Sequence, residues 1–168
     1  MKLRLARNDD LPQLKTMYEK IIENMNQNNI RIWNDIYPCE CFHEDINRKR
    51  LYLLTENDEI LAAFALCESN DGAGHLKWKT VKEKALYIDR LGVNVEYLRK
   101  GIGGIMLKNA IRLAKQMDAK YLRLFVVDVN QPAINFYLKN GFQHVDGIYE
   151  ERIDHFVMNE YGFEIKIT

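Results

Sequence analysis

No stretch of the 168-residue chain reaches the roughly 18 consecutive apolar residues that a membrane-spanning helix needs. Its opening, MKLRLARNDD, lacks the apolar core of a secretory signal. Neither a membrane protein nor an exported one is expected. Charge of one sign is lacking too: 24 Lys plus Arg against 24 Asp plus Glu leaves no net field to hold nucleic acid or an acidic bilayer. Cysteine is scarce and odd in number (Cys39, Cys41 and Cys67), which argues against a disulfide scaffold and for a reducing compartment, the cytoplasm. There is no low-complexity tract, no Gly/Ser linker and no repeat, so residues 1–168 are expected to form one domain. What is there, 47% hydrophobic and 29% charged side chains, is the make-up of an ordinary globular fold, not of a disordered chain or a fibre.

Lys2 to Arg7 alternate as a short strand, and Asn8 or Asp9 offers the N-cap of a helix. Its apolar stripe runs Leu11, Leu14, Tyr18, Ile21, Ile22, Met25. The stretch from Ile30 to Asn47 has no period and reads as a loop with one short helix. Arg50 to Thr55 and Ile60 to Glu68 form a hairpin around Glu56-Asn57-Asp58-Glu59. After a polar stretch, Ser69 to Lys84, a strand is predicted over Ala85 to Val95 with a bulge at Gly92. From Ile102 the period changes to about 3.6, so a helix follows. Tyr121 to Val127 reads as a strand, Asn130 to Asn140 as a helix ended by Gly141, and Phe142 to Tyr149 and Asp154 to Ile167 as further strands. This order points to α/β of the mixed α+β kind, antiparallel in front and parallel in the middle, rather than to a doubly wound sheet.

The richest segment is Leu91-Gly92-Val93-Asn94-Val95-Glu96-Tyr97-Leu98-Arg99-Lys100-Gly101-Ile102-Gly103-Gly104, which joins a strand to a long helix through glycines and two cations. Glycines there let successive N–H groups converge at a helix N-terminus, a suitable cradle for a phosphate or pyrophosphate. Alternatively, Gly101, Gly103 and Gly104 serve only tight turning and close packing. A Walker loop is excluded because Gly104 leads into Ile105 and Met106, and the Rossmann pattern fails at Met106, where its third glycine belongs.

Leu98 to Gly103 resembles motif A of the Gcn5-related N-acetyltransferase (GNAT) superfamily, Gln/Arg-x-x-Gly-x-Gly/Ala, matching at Gly101 and Gly103. Leu98 stands where the family usually has Gln or Arg. Asn130-Gln131-Pro132-Ala133-Ile134-Asn135-Phe136-Tyr137, followed by Gly141-Phe142, is similar to the family's Asn-x-x-Ala-x-x-x-Tyr and Gly-Phe. The resemblance implies a single-domain GNAT-like fold, a twisted, mostly antiparallel mixed sheet of six or seven strands flanked by about four helices. It implies acetyl-CoA as cosubstrate, with Leu91, Gly92 and Val93 along the pantetheine arm and Arg99, Lys100, Gly101, Ile102, Gly103 and Gly104 around the pyrophosphate. Asn130, Ala133 and Tyr137 complete the cofactor set. The implied reaction is acetyl transfer to an amine of a small molecule or peptide by direct attack in a ternary complex, with no part for nucleic acid, membrane or metal. A homodimer through the last strands is also implied.

Tyr137, a weak acid with a reference pKa of about 10, suits protonation of a departing thiolate, or else is a core aromatic with its hydroxyl at the surface. Asp89 is the candidate base. It sits among apolar residues in Leu86-Tyr87-Ile88-Asp89-Arg90-Leu91, and strand alternation sends Arg90 to the opposite face, where it cannot neutralise Asp89. A structural ion pair with a cation such as Arg123 is the alternative role. The resemblance places the oxyanion on backbone N–H groups near Leu91 and Gly92. Trp33, Tyr37 and Trp78 either line the acceptor pocket or plug the core. Cys39-x-Cys41-x-His43 has the wrong spacing for zinc and no fourth ligand nearby, and His75, His144 and His155 are scattered singles. Cys67 has no His beside it in sequence, so a covalent intermediate is not expected. Two contrasting readings remain: a noncatalytic CoA-binding or regulatory module, and a nucleotide-binding α/β domain of another kind.

Overall fold

The computed structural model describes residues 1–153 and 155–168. The strands are β1 (Lys2–Leu5), β2 (Leu51–Glu56), β3 (Glu59–Cys67), β4 (Ala85–Val93), β5 (Tyr121–Val127), β6 (Gln143–Ile153) and β7 (Phe156–Lys166). The helices are α1 (Leu11–Gln27), α2 (Phe42–Asn47), α3 (Ile102–Gln116) and α4 (Gln131–Lys139). The seven strands form a mixed sheet in the order β1-β2-β3-β4-β5-β7-β6. β1–β2, β2–β3, β5–β7 and β6–β7 pair antiparallel, whereas β4 and β5 pair parallel. The long connection through α3 supplies the crossover that a parallel pair needs. Among the described residues no helix is long and apolar enough to cross a membrane.

Two compact units make up the chain: residues 1–66 with 89–110, and residues 67–88 with 111–168. In the first, α1 buries Leu14, Met17, Tyr18 and Ile21, the stripe that a 3.6-residue period demands. At roughly 1.5–3 kcal/mol per large apolar side chain, this face is what holds the helix in place. The helix entrance is closed differently from the expected Asn8 or Asp9 cap. The Asp10 carboxylate accepts the Arg7 N–H at 2.7 Å and a two-pronged bond from the Arg4 guanidinium at 2.7 and 2.8 Å. Asp10 stands at the N-cap position of α1, but its carboxylate closes the 3-10 turn that precedes the helix and is held there by Arg4 of β1. The β2–β3 turn carries Asn57 and Asp58 at φ 50° and 65°, the left-handed pair that a two-residue hairpin requires. β3 is buried from Ile60 to Cys67.

In the second unit, the 69–84 segment is less polar in place than its sequence suggests. Leu76 and Trp78 are buried, Lys77 bridges Asp146, and Gly162 of β7 lies beneath Leu76 and Trp78. Gly147 of β6 packs against the His75 carbonyl. The strand expected from Asp154 onward begins at Phe156, and Asp154 itself lies outside the described residues.

Candidate functional site

β4 is regular where it pairs with β5, from Ala85↔Tyr121 to Ile88↔Leu124. Two residues further on, Arg90 turns to φ +56°, a left-handed backbone that a non-glycine side chain seldom adopts in a strand. This left-handed residue stands two positions before Gly92, where a bulge is expected, and neighbouring side chains contact it. The Tyr18 hydroxyl donates to the Arg90 carbonyl at 2.5 Å. The Arg90 guanidinium forks onto Asp45 of α2, Nε to Oδ2 at 2.9 Å and Nη2 to Oδ1 at 2.8 Å. Arg50 adds a third bond to the same carboxylate at 2.7 Å, and Asp45 is fully buried. Gly92 has no side chain because a Cβ there would stand 2.8 Å from the Tyr18 ring.

The kink also overturns the alternation argument for Asp89. With Arg90 left-handed, Asp89 and Arg90 are no longer isolated on opposite faces. Burial works to lower the Arg90 pKa, yet Tyr37, Asp45 and Asp89 together carry it above the ordinary guanidinium value. Tyr37 belongs to the same cluster. It is 37% exposed as a residue, but its hydroxyl end is desolvated, and burial pushes the phenol up to about 12 against the lowering pull of Arg90. Burial likewise holds the Tyr18 phenol well above its usual value. The half-buried Trp33 ring lies 5.7 Å from that of Tyr18. The structure therefore gathers Trp33, Tyr37 and Asp89 around two residues that sequence reasoning missed, Tyr18 and Asp45, and around Arg90. One signal was available: Asp45 falls on the buried stripe of Phe42, Asp45 and Ile46, where a carboxylate demands a cation.

Leu91 and Val93 are half-buried and Gly92 is buried. Asn94 ends the strand: its N–H donates to the Leu61 carbonyl, its amide nitrogen to the Ile60 carbonyl, and its side-chain oxygen accepts the Glu96 N–H. The strand stops at Val93, short of the expected Val95, because this cap starts a 3-10 turn over Val95–Tyr97. Tyr97 then donates to Glu59 at 2.6 Å, and the Lys100 ammonium lies 4.8 Å from its ring centroid. These contacts tether the loop that follows to the β2–β3 hairpin. Arg99 (φ 62°) and Gly101 (φ 78°) are both left-handed, a backbone that turns consecutive N–H groups toward one side. Cβ atoms built at Gly101 and Gly104 would meet nothing within 4 Å, so open space adjoins the start of α3. With Arg99 and Lys100 exposed beside it, this lining fits an anionic diphosphate approaching the main chain. Leu98 is 44% exposed.

In the second unit, Asn130 caps α4, its side-chain oxygen accepting the Ala133 N–H at 3.3 Å. Ala133 is half-buried and Tyr137 is buried, with the Tyr137 ring edge-on to Phe142 at 5.6 Å. Trp78 donates its indole N–H to the Ala73 carbonyl at 2.8 Å and lies under the Arg123 guanidinium. Arg123 in turn bonds Glu164 at 3.0 Å and the Thr80 carbonyl at 2.6 Å. Among the described residues no group of His, Cys, Asp or Glu is arranged to hold a metal ion. Burial raises the thiol pKa values of Cys39 and Cys41, which makes them poor nucleophiles.

In the first unit, then, a strand with a left-handed residue leads through a glycine loop into the head of a helix, and comparison with known proteins places the chain in a family. The model of the Acetyltransferase (GNAT) family matches residues 15–142, so the chain belongs to that family. It is 26% identical over 149 residues to YwnH of Bacillus subtilis (strain 168), whose name assigns it, provisionally, to phosphinothricin acetylation; the match spans 84% of this chain and 83% of that protein. A thialysine N-epsilon-acetyltransferase of Bos taurus is 30% identical over 77 residues, 46% of this chain and 45% of the relative. A GNAT-family acetyltransferase structure from Streptococcus agalactiae 2603 superposes with a TM-score of 0.82 at 17% identity, covering 99% of this chain and 95% of the other. That last likeness concerns the fold alone.

Proposed function

We propose that the protein transfers an acetyl group from acetyl-CoA to an amine. The loop at the head of α3 carries this reading: left-handed Arg99 and Gly101, open space at Gly101 and Gly104, and two exposed cations together suit a diphosphate. Arg99, Lys100, Gly101, Ile102, Gly103 and Gly104 hold the pyrophosphate, and Leu91, Gly92 and Val93 lie along the arm, with Asn130, Ala133 and Tyr137 contributed by α4. Bound there, acetyl-CoA supplies a thioester whose carbonyl carbon is open to attack. Tyr137 keeps a proton on its phenol oxygen and delivers it to the leaving sulfur. Asp89 takes a proton from the acceptor nitrogen, since a primary amine is mostly protonated near neutrality. Trp33, Tyr37 and Trp78 contribute to acceptor binding. The N-epsilon in one relative's name supports a small amine as acceptor. The protein works in the cytoplasm as one catalytic domain, and a homodimer is part of the same family-based reading.

Saturating acetyl-CoA, at about a hundred times its dissociation constant, should stabilise the fold by roughly 2.7 kcal/mol and raise the melting temperature by a few degrees. No shift would overturn the reading. An amine library monitored for free CoA then identifies the acceptor, and Tyr137→Phe should bind the donor normally while releasing thiol slowly. Leu98 at a usually polar motif position favours the alternative, a noncatalytic CoA-binding module, in which the thermal shift appears but no amine releases CoA.

A further inference from the structure

The Asp45–Arg90 pair has no part in the chemistry just described, yet it is among the most completely buried charge groups of the first unit. Exchanging a buried ion pair for apolar residues is commonly neutral or stabilising, so such a pair is better explained by the geometry it specifies than by stability. Here the geometry is unusual. A non-glycine residue at φ +56° within a strand relaxes unless its surroundings over-determine it. Three contacts do so for Arg90. Tyr18 holds its carbonyl, Asp45 holds both faces of its guanidinium fork, and the Tyr18 ring fills the space above Gly92 two residues on. Asp45 is itself fixed by Arg50 and by its place on the buried side of α2.

We propose that Asp45 and Tyr18, acting through Arg90, are positioning residues for the acyl end of the donor: they hold β4 in its left-handed kink so that the main-chain groups of Leu91 and Gly92 stay aimed at the thioester carbonyl. This rests on the reading of β4 as the donor strand. The loop from Leu98 to Gly104 has its own tethers, through Asn94 and Tyr97, so grip on the diphosphate and grip on the acyl carbonyl are separable.

Calorimetric titration of the full chain with CoA and with acetyl-CoA tests this without knowledge of the acceptor. The unmodified protein should bind acetyl-CoA about tenfold more tightly than CoA, the value of one hydrogen bond to the carbonyl. Tyr18→Phe removes only the hydroxyl and keeps the ring packed on Phe42 and Trp33. It should shrink the preference to about threefold or less while CoA affinity changes by less than about twofold. Asp45→Asn should do the same if it folds, and Tyr18→Phe decides the matter if it does not. A preference retained in Tyr18→Phe, equal weakening of both ligands, or no preference in the unmodified protein overturns the proposal. Failure to bind either ligand overturns the donor reading itself.

Discussion

Among the described residues, each unit holds a buried carboxylate paired with arginine, and the two pairings are built differently. In the second unit, Arg123 and Glu164 face each other directly across the β5–β7 ladder on an undistorted backbone. The Arg123 guanidinium also stacks on Trp78 and caps the Thr80 carbonyl, while Glu164 accepts the Lys79 N–H at 2.8 Å. The bonds of this pair pin the 79–80 stretch to β5 and β7. In the first unit, Asp45 on a short helix grips Arg90 of β4 and Arg50 beside β2, and the strand it grips is bent. The Arg123–Glu164 arrangement fastens a segment onto a strand; the Asp45–Arg90 arrangement grips a strand where it is left-handed. A pair made in register asks nothing of the backbone, whereas one made from outside the ladder can impose a conformation that the strand would not choose.

The comparison can be broken most directly at Asp45. Asp45→Asn leaves the Arg90 guanidinium, little exposed, and the partly exposed Arg50 facing one neutral amide, and urea denaturation should show a loss of about 3–5 kcal/mol. Glu164→Gln strands only Arg123, which keeps Thr80 and Trp78, so about 2–3 kcal/mol is expected. Equal losses would remove the distinction. Gly92→Ala probes the bent strand alone: the new methyl meets the Tyr18 ring at 2.8 Å, and a cost of about 1–3 kcal/mol should appear in thermal melts. The smallest effect is a pH dependence in the kinked region. The folded Tyr37 phenol titrates near 12 instead of about 10, so its contribution is intact below about pH 10 and is lost as pH rises toward 12. Tyr37→Phe should remove phenolate absorbance in that window and lessen the alkaline fall in melting temperature.

Regular elements were legible wherever one physical signal dominated. Tyr121 to Val127 is rich in β-formers and coincides with β5, and the change of period at Ile102 marks the first residue of α3. The glycine loop was legible because Gly101 needs a left-handed backbone that few other residues tolerate. Arg99 and Arg90 take the same backbone with side chains, and nothing local announces it. The contacts made to Arg90 come from Asp45, 45 residues away, and from Tyr18, at a distance of 72. The 69–84 segment looked polar because its lysines and glutamate outnumber the two residues, Leu76 and Trp78, that dock it. In each miss a contact remote in sequence outweighed a local preference.

That docked segment has a consequence for anyone wishing to transplant loops in this protein. Its lid-like fit depends on absent side chains elsewhere: Gly147 and Gly162 leave the hollows that receive Leu76 and Trp78, and Gly72 within the segment nests against Tyr149 and Phe125. A foreign insert of different shape would find those hollows vacant, and a bulkier residue at either receiving position would evict the native one. Graft and seat have to be exchanged together.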